Sequence, residues 1–269
     1  MGRTPLAGLS PRRRVLVAGV VAVAGVLVVA GFLRACGGST PGPPEQSRLG
    51  TVLLVPGYGG GKDSLAPLAA RIRGTGRSVS VVTLPDDGTG DLLRQAGTLA
   101  VAAREAQRQG APSVDVIGYS AGGVVVRAWV ARLGGDRQAR RVVTLGAPLH
   151  GARIAAAGSV VGADACPTAC QQLAPGSSLL ADLDRVPLPS ALPWLSVWTE
   201  DDQTVTPPDS ARLAGAVNVP LQAVCADARV SHAQLPGDPA VTAMVLKAIG
   251  TAPLTSPGRD DCTRLRAGG

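Results

Sequence analysis

The stretch Gly118-Tyr119-Ser120-Ala121-Gly122 constrains the fold of this chain more than any other feature. The short run before it, Val114 to Ile117, is mostly β-branched, which suits a buried parallel strand. After it, apolar residues recur at helical spacing, at Val126, Trp129, Val130 and Leu133. In a chain with 35 glycines the alternative is an ordinary Gly/Ser turn. The flanking segments nevertheless favour a sharp strand-to-helix turn at Ser120, because glycines accept backbone angles that a Cβ resists.

Alternating strand and helix patterns along the chain predict an α/β fold with a doubly wound, mostly parallel sheet. The predicted strands are Val52–Val55, Val79–Leu84, Val114–Ile117, Val142–Leu145, Leu195–Trp198 and Val217–Val224. The predicted helices are Leu65–Arg73, Leu92–Arg108, Gly122–Leu133 and Ala240–Ile249. Between Gly151 and Pro189 the pattern breaks, in a segment too short for a large cap domain. In such sheets, sites form at the carboxyl ends of the strands.

The motif at Ser120 resembles the nucleophile elbow of the α/β-hydrolase family. Over Thr51 to about Gly250 the chain is most similar to small bacterial extracellular lipases and esterases of that family. Further likeness to secreted lipases lies in Pro85–Asp91 and in Cys166–Ser178. The resemblance implies an α/β-hydrolase fold with a short insertion and a serine nucleophile at Ser120.

A serine nucleophile needs a base, and in this family the order along the chain is Ser, Asp or Glu, then His. Of the two histidines only His232 comes late enough, whereas His150 lies in a loop that resembles a site wall in many lipases. The acid is expected after the strand that ends at Trp198. The resemblance selects Asp202 from its spacing to a Val and a Pro-bearing turn, with Asp201 as the alternative. Its role is to orient the imidazole.

A glycine-rich loop follows the first predicted strand, in Pro56-Gly57-Tyr58-Gly59-Gly60-Gly61. Many lipases have a histidine where this chain has Pro56. The resemblance implies an oxyanion hole built from the backbone N–H groups of Tyr58 and Ala121. A phosphate-binding loop is disfavoured because Gly59 to Ser64 lacks the required register.

The net charge of +7 does not indicate a nucleic-acid partner. Five arginines precede the first acidic residue, which leaves +2 for the rest, and only six residues are aromatic. Three of those arginines stand directly before an uncharged apolar run from Val15 to Leu33. Nineteen helical residues span about 28 Å, close to the thickness of a bilayer core. We therefore expect residues 1–36 to be an export signal or membrane anchor, 37–49 a flexible linker and 50–269 the catalytic domain.

Five cysteines suit an exported domain, located outside the cell membrane or secreted. Cys166 can pair with Cys170, and Cys225 with Cys262, while a metal site at the first pair is disfavoured because no histidine is near. Cys36 remains at the membrane edge. Three fates are open for the N-terminus: an uncleaved anchor, a lipoprotein modified at Cys36, or a cleaved signal. Arg34 argues against lipidation, since that position is normally small and uncharged.

The sequence therefore predicts a serine carboxylic-ester hydrolase that needs no metal or cofactor and acts on an ester or lipid substrate. Two alternatives stay open: an acyltransferase that uses the same acyl-enzyme, and a membrane-tethered binding module without activity. Residues expected to suit an acyl chain are Tyr58, Tyr119, Leu149, Leu179 and Leu180.

Overall fold

The structure is a computed structural model that describes residues 42–161 and 166–268, together with 10, 12, 13, 15, 19–26 and 28. The chain divides into two compact units, Met1–Gly42 and Pro43–Gly269. In the first unit, the described residues between 12 and 28 are helical. Within the described part of the chain, no helix is both long enough and apolar enough to cross a membrane. Most of the predicted export or anchor segment, including Cys36, lies outside the described residues.

The second unit is built on a six-stranded sheet in which every neighbouring pair of strands is parallel. Its order is β2-β1-β3-β4-β5-β6. The strands are β1 Thr51–Val55, β2 Val79–Val81, β3 Val114–Tyr119, β4 Ala139–Leu145, β5 Trp194–Trp198 and β6 Val217–Pro220. The helices are α1 Ala66–Arg73, α2 Leu92–Arg108, α3 Ala121–Arg132, α4 Arg153–Val161, α5 Thr168–Gln172, α6 Ser178–Asp184, α7 Leu221–Val224, α8 Pro239–Ala248 and α9 Cys262–Arg266. This arrangement confirms the predicted fold class.

Strand alternation divides the core between the two faces of the sheet. In β3, Val116 packs into the cluster that includes α2 and α3, whereas Ile117 packs with α1 and α8. Because successive side chains of a strand point to opposite faces, a sheet covered on both sides needs apolar residues at consecutive positions. The mostly β-branched run before Ser120 reflects this double burial.

Two predicted strands end earlier than expected. At the edge of the sheet, β6 stops at Pro220 and the chain turns into α7, where strand was predicted to continue to Val224. Pro220 has no N–H to donate a further hydrogen bond to the neighbouring strand. Leu221 and Val224 are three residues apart, so a helix buries both on one face. At the opposite edge, β2 ends at Val81 rather than Leu84.

The segment between Gly151 and Pro189 contains three helices that the sequence patterns did not indicate, α4 to α6. They are short, and α4 is rich in alanine, so their apolar periodicity is weak. The prediction of a short insertion instead of a large cap agrees with this size.

Residues at the amino-terminal edge of the sheet form a buried ionic cluster around Asp115. Its Oδ2 lies 2.6 Å from Arg140 Nη2 and 2.5 Å from Arg77 Nη2. Arg140 also donates to the carbonyl oxygen of Gln46, and the Gln46 amide donates to that of Arg140. Part of the segment expected to be a linker therefore lies against the sheet.

Candidate active site

Ser120 occupies a strained turn between β3 and α3. Its backbone angles are φ 53° and ψ −131°, a conformation that non-glycine residues rarely adopt and that is typical of functional sites. A Cβ on Gly118 would lie 2.6 Å from the Cα of Gly123, and one on Gly122 would overlap the carbonyl oxygens of Val55 and Pro56. Both glycines of the motif are therefore required by close backbone packing.

The side chains of Ser120, His232 and Asp202 form a continuous hydrogen-bonded chain. Ser120 Oγ lies 2.9 Å from His232 Nε2, and His232 Nδ1 lies 2.6 Å from Asp202 Oδ2. The three residues are far apart in sequence and meet at the carboxyl end of the sheet. Asp201, the alternative acid, is exposed, whereas the side chain of Asp202 is 1 % exposed.

The loop after β5 fixes the Asp202 carboxylate. Its second oxygen, Oδ1, accepts hydrogen bonds from the backbone N–H groups of Thr204, at 2.9 Å, and Val205, at 2.7 Å. With the imidazole on Oδ2, both oxygens of this buried carboxylate have hydrogen-bond partners. A carboxylate bonded in this way cannot rotate freely, so it holds the orientation of the histidine ring.

Two further residues shape the space around the imidazole, and neither role was expected from the sequence. The ring of Tyr119 stacks on that of His232, and its hydroxyl donates to the His232 carbonyl oxygen at 3.2 Å. Burial, with a smaller contribution from Asp202, raises the pKa of Tyr119 to about 12. A Cβ on Gly146, which has φ 53°, would lie 3.1 Å from His232 Nδ1. No local spacing connects these residues with a histidine so distant in sequence.

The glycine-rich loop after β1 passes beside the nucleophile. A Cβ on Gly57 would lie 2.9 Å from that of Ser120. The Gly60 N–H donates to the Gly57 carbonyl oxygen at 3.0 Å and closes a turn with Tyr58 at its centre. Among the described residues, the N–H groups of Tyr58 and Ala121 donate to no backbone acceptor.

A family model described as "Lipase (class 2)" matches residues 95–242, more than half of the chain. The chain belongs to the class 2 lipase family. No curated protein sequence matches this chain.

The chain also shares its fold with solved structures. It is similar to Bacillus licheniformis lipase BlEst2 in mature form, with a TM-score of 0.57 and 20% identity over 68% of this chain and 86% of that one. It is also similar to Aspergillus fumigatus lipase B, with a TM-score of 0.62 and 16% identity over 85% and 63%, respectively. The chain thus spans less than two thirds of the Aspergillus protein. At sequence identities this low, the structural similarity shows that this chain and the two proteins share a fold.

A cleft of about 340 Å³ opens directly beside Ser120. Its lining includes Tyr58, Ala121, Thr204 and Val205. The insertion contributes small or apolar residues to its walls: Ala152, Ile154, Ala155, Gly158, Cys170 and Leu173. Of the residues expected to contact an acyl chain, only Tyr58 lines the cleft. Tyr119 packs on His232, and Leu149, Leu179 and Leu180 are buried in the core, the last two on the inward face of α6.

Both pairs of cysteines suggested by the sequence form disulfide bonds in the structure. Cys166 is joined to Cys170 and Cys225 to Cys262, each with 5.2 Å between Cα atoms. The first bond packs against the wall of the cleft, since a Cβ on Gly158 would lie 3.2 Å from Cys170 Sγ. The second joins the chain after α7 to α9.

His150 lies apart from the nucleophile. Its Nε2 is 3.0 Å from the Arg212 carbonyl oxygen, and its Nδ1 is 3.1 Å from Asp184 Oδ1. Among the described residues, no group of three or more His, Cys, Asp or Glu side chains could hold a metal ion.

Proposed function

We propose that this lipase-family hydrolase is a serine carboxylic-ester hydrolase acting through an acyl-enzyme. The observation that carries the proposal is the hydrogen-bonded chain from Ser120 through His232 to Asp202. A serine hydroxyl becomes an effective nucleophile when an oriented imidazole accepts its proton. The three groups stand in the order and at the distances that this chemistry needs.

In the proposed reaction, Ser120 Oγ attacks the ester carbonyl carbon while its proton moves to His232 Nε2. Asp202 stabilises the resulting imidazolium and keeps Nδ1 protonated. The imidazolium then protonates the departing alcohol, which leaves an acyl group on Ser120. A water molecule, deprotonated by His232, attacks this acyl-enzyme, and the acid departs as Ser120 regains its proton.

The N–H groups of Tyr58 and Ala121 are the proposed oxyanion hole. Two observations support this assignment. Among the described residues, neither N–H donates to a backbone acceptor, and the loop at Gly57 is in contact with Ser120. Such donors stabilise the negative charge that develops on the carbonyl oxygen in the transition state.

We propose an uncharged ester with an apolar acyl group as the substrate. Among the residues that the structure describes, those lining the cleft beside Ser120 are all uncharged, and most are aliphatic. A charged acyl group would lose its hydration there without gaining a counter-ion, whereas each methylene group would be favourably removed from water.

We also propose that residues 50–269 act outside the cytoplasm, secreted or held at the membrane by the N-terminal segment. The two disulfides favour an oxidising compartment. The arginines and the apolar run before residue 34 favour export. The intact mass of the protein from membrane and medium fractions distinguishes a full-length anchor, an acylated chain starting at Cys36 and a cleaved, soluble chain.

The catalytic proposal is tested with a fluorophosphonate probe and an activated ester. Wild-type protein should be labelled and should hydrolyse the ester, and Ser120→Ala should abolish labelling and lower turnover by about 10⁴-fold or more. Ser231→Ala, which changes an exposed serine beside His232, is the matched control and should still be labelled. Substantial ester turnover by Ser120→Ala would overturn the proposal.

A further inference from the structure

A short bend between β2 and α2 has an unusual backbone. Asp86, Asp87 and Gly88 adopt three consecutive left-handed conformations, with φ of 50°, 49° and 70°. Aspartate in this region carries a conformational cost that the surrounding structure must offset, and such residues cluster at functional sites. None of these three residues takes part in the proposed reaction, so their conformation needs another explanation.

The bend packs directly on the turn that carries Tyr58. A Cβ on Gly88 would lie 2.8 Å from the Gly60 nitrogen and 3.2 Å from the Gly57 oxygen, the two atoms whose hydrogen bond closes that turn. From the other side, a Cβ on Gly60 would lie 2.9 Å from the carbonyl carbon of Asp87. The two backbones are therefore in contact, with no side chain between them.

The bend is held in place from both sides. Thr89 donates from its N–H and its hydroxyl to the Asp86 carbonyl oxygen, at 2.9 and 2.8 Å. The Asp86 carboxylate pairs with Arg94 of α2. The Thr89 carbonyl oxygen accepts a hydrogen bond from the Ala169 N–H of α5 at 3.0 Å. A turn resting on this bend has little freedom to shift.

We infer that the Asp86–Gly88 bend positions the Tyr58 N–H for the oxyanion, with Gly88 and Gly60 as positioning residues. The inference rests on the proposed function. An oxyanion donor is effective only if it is already aimed at the oxygen before charge develops. The left-handed backbone of residues 86–88 brings Gly88 into contact with the hydrogen bond between the Gly60 N–H and the Gly57 oxygen. Because glycine has no Cβ, this contact can form.

The test compares Gly88→Ala with Gly76→Ala. Gly76 has φ 81°, but a Cβ there would meet no described atom within 4 Å, so this control carries the backbone strain without the contact. In Gly88→Ala the turn must shift, and we expect kcat for an activated ester to fall by about 10- to 100-fold with KM within about twofold. Gly76→Ala should keep the wild-type kcat. An equal loss in both variants, or an unchanged kcat in Gly88→Ala, would overturn the inference.

A second readout separates positioning from general damage to the site. Octylboronic acid forms a bond from Ser120 Oγ to boron, with the hydroxyl proton passing to His232, and so mimics the tetrahedral transition state. Octan-1-ol contacts only the cleft. Gly88→Ala should weaken boronic acid binding and leave octanol binding unchanged, and equal weakening of both would refute the assignment.

Thr89→Val provides a milder variant if Gly88→Ala does not fold. It removes the hydroxyl hydrogen bond within the bend and should lower kcat relative to the wild type, again without changing KM. An unchanged kcat in Thr89→Val would then count against the inference. Failure of the proposed function would be seen separately, in boronic acid binding that persists in Ser120→Ala.

Discussion

The ring of Tyr119 stacks on the imidazole of His232, with 5.1 Å between centroids and 30° between planes. The residue directly before the nucleophile thus supports the base 113 positions later in the chain. Its hydroxyl donates to the backbone of His232, so one side chain contacts both the ring and the main chain of that residue. This contact buries a phenol that is only 7% exposed.

The raised pKa of Tyr119 predicts a loss of stability at alkaline pH. Below pH 10 the phenol is neutral in both folded and unfolded chains. Between pH 10 and about 12 only the unfolded chain releases the proton, so the free energy of unfolding falls by up to about 3 kcal/mol, of which roughly half is lost by pH 11. Urea unfolding at pH 8 and pH 11 should show this loss in wild-type protein and not in Tyr119→Phe. Tyr58→Phe, which changes the other tyrosine, should behave as wild type, and an equal loss in all three proteins would contradict the prediction.

Replacing the two neighbouring aspartates should separate the acid of the site from its alternative. Asp202→Asn cannot hold the imidazole in the tautomer that accepts the Ser120 proton, and we expect a loss of kcat of about 10⁴-fold. Asp201→Asn changes an exposed side chain and should retain nearly full activity. Steady-state kinetics on an activated ester measures both, and a larger loss at Asp201 would move the acid to that residue.

The two disulfides should contribute unequally to stability. On the chain-entropy estimate, the loop closed by Cys166 and Cys170 stabilises by roughly 2 kcal/mol and that closed by Cys225 and Cys262 by roughly 4 kcal/mol. The double serine variant of the second pair should therefore unfold at a lower urea concentration than that of the first. Equal midpoints for the two variants would show that loop length does not govern these bonds.

The wall of the cleft predicts a dependence on acyl-chain length. Each methylene buried against it is worth about 0.8 kcal/mol, or roughly a fourfold rise in kcat/KM, until the cleft is filled. Ile154 lines the cleft and is 62% exposed, so Ile154→Asp should flatten this rise, and Ile154→Val should keep most of it. A series of p-nitrophenyl esters provides the measurement. Wild-type activity that does not change with chain length would contradict the role of the cleft.

The sequence by itself predicted the parallel sheet, the strained turn at Ser120 and the three residues that the structure brings within hydrogen-bond distance. These features depend on local information. Alternating patterns identify buried strands, the two glycines identify the turn, and chain order together with family resemblance singles out His232 and Asp202. Parallel strands then carry their ends to one edge of the sheet.

Only the tertiary structure decided which side chains surround these groups. Tyr119 was expected to contact substrate and instead supports His232, while Leu179 and Leu180 face the core and leave the cleft to residues of α4 and α5. The contact between Gly88 and the turn at Gly60 likewise joins two loops that no sequence spacing relates. Such contacts depend on the packing of distant backbones to within a few tenths of an ångström, and local propensity carries no information about that packing.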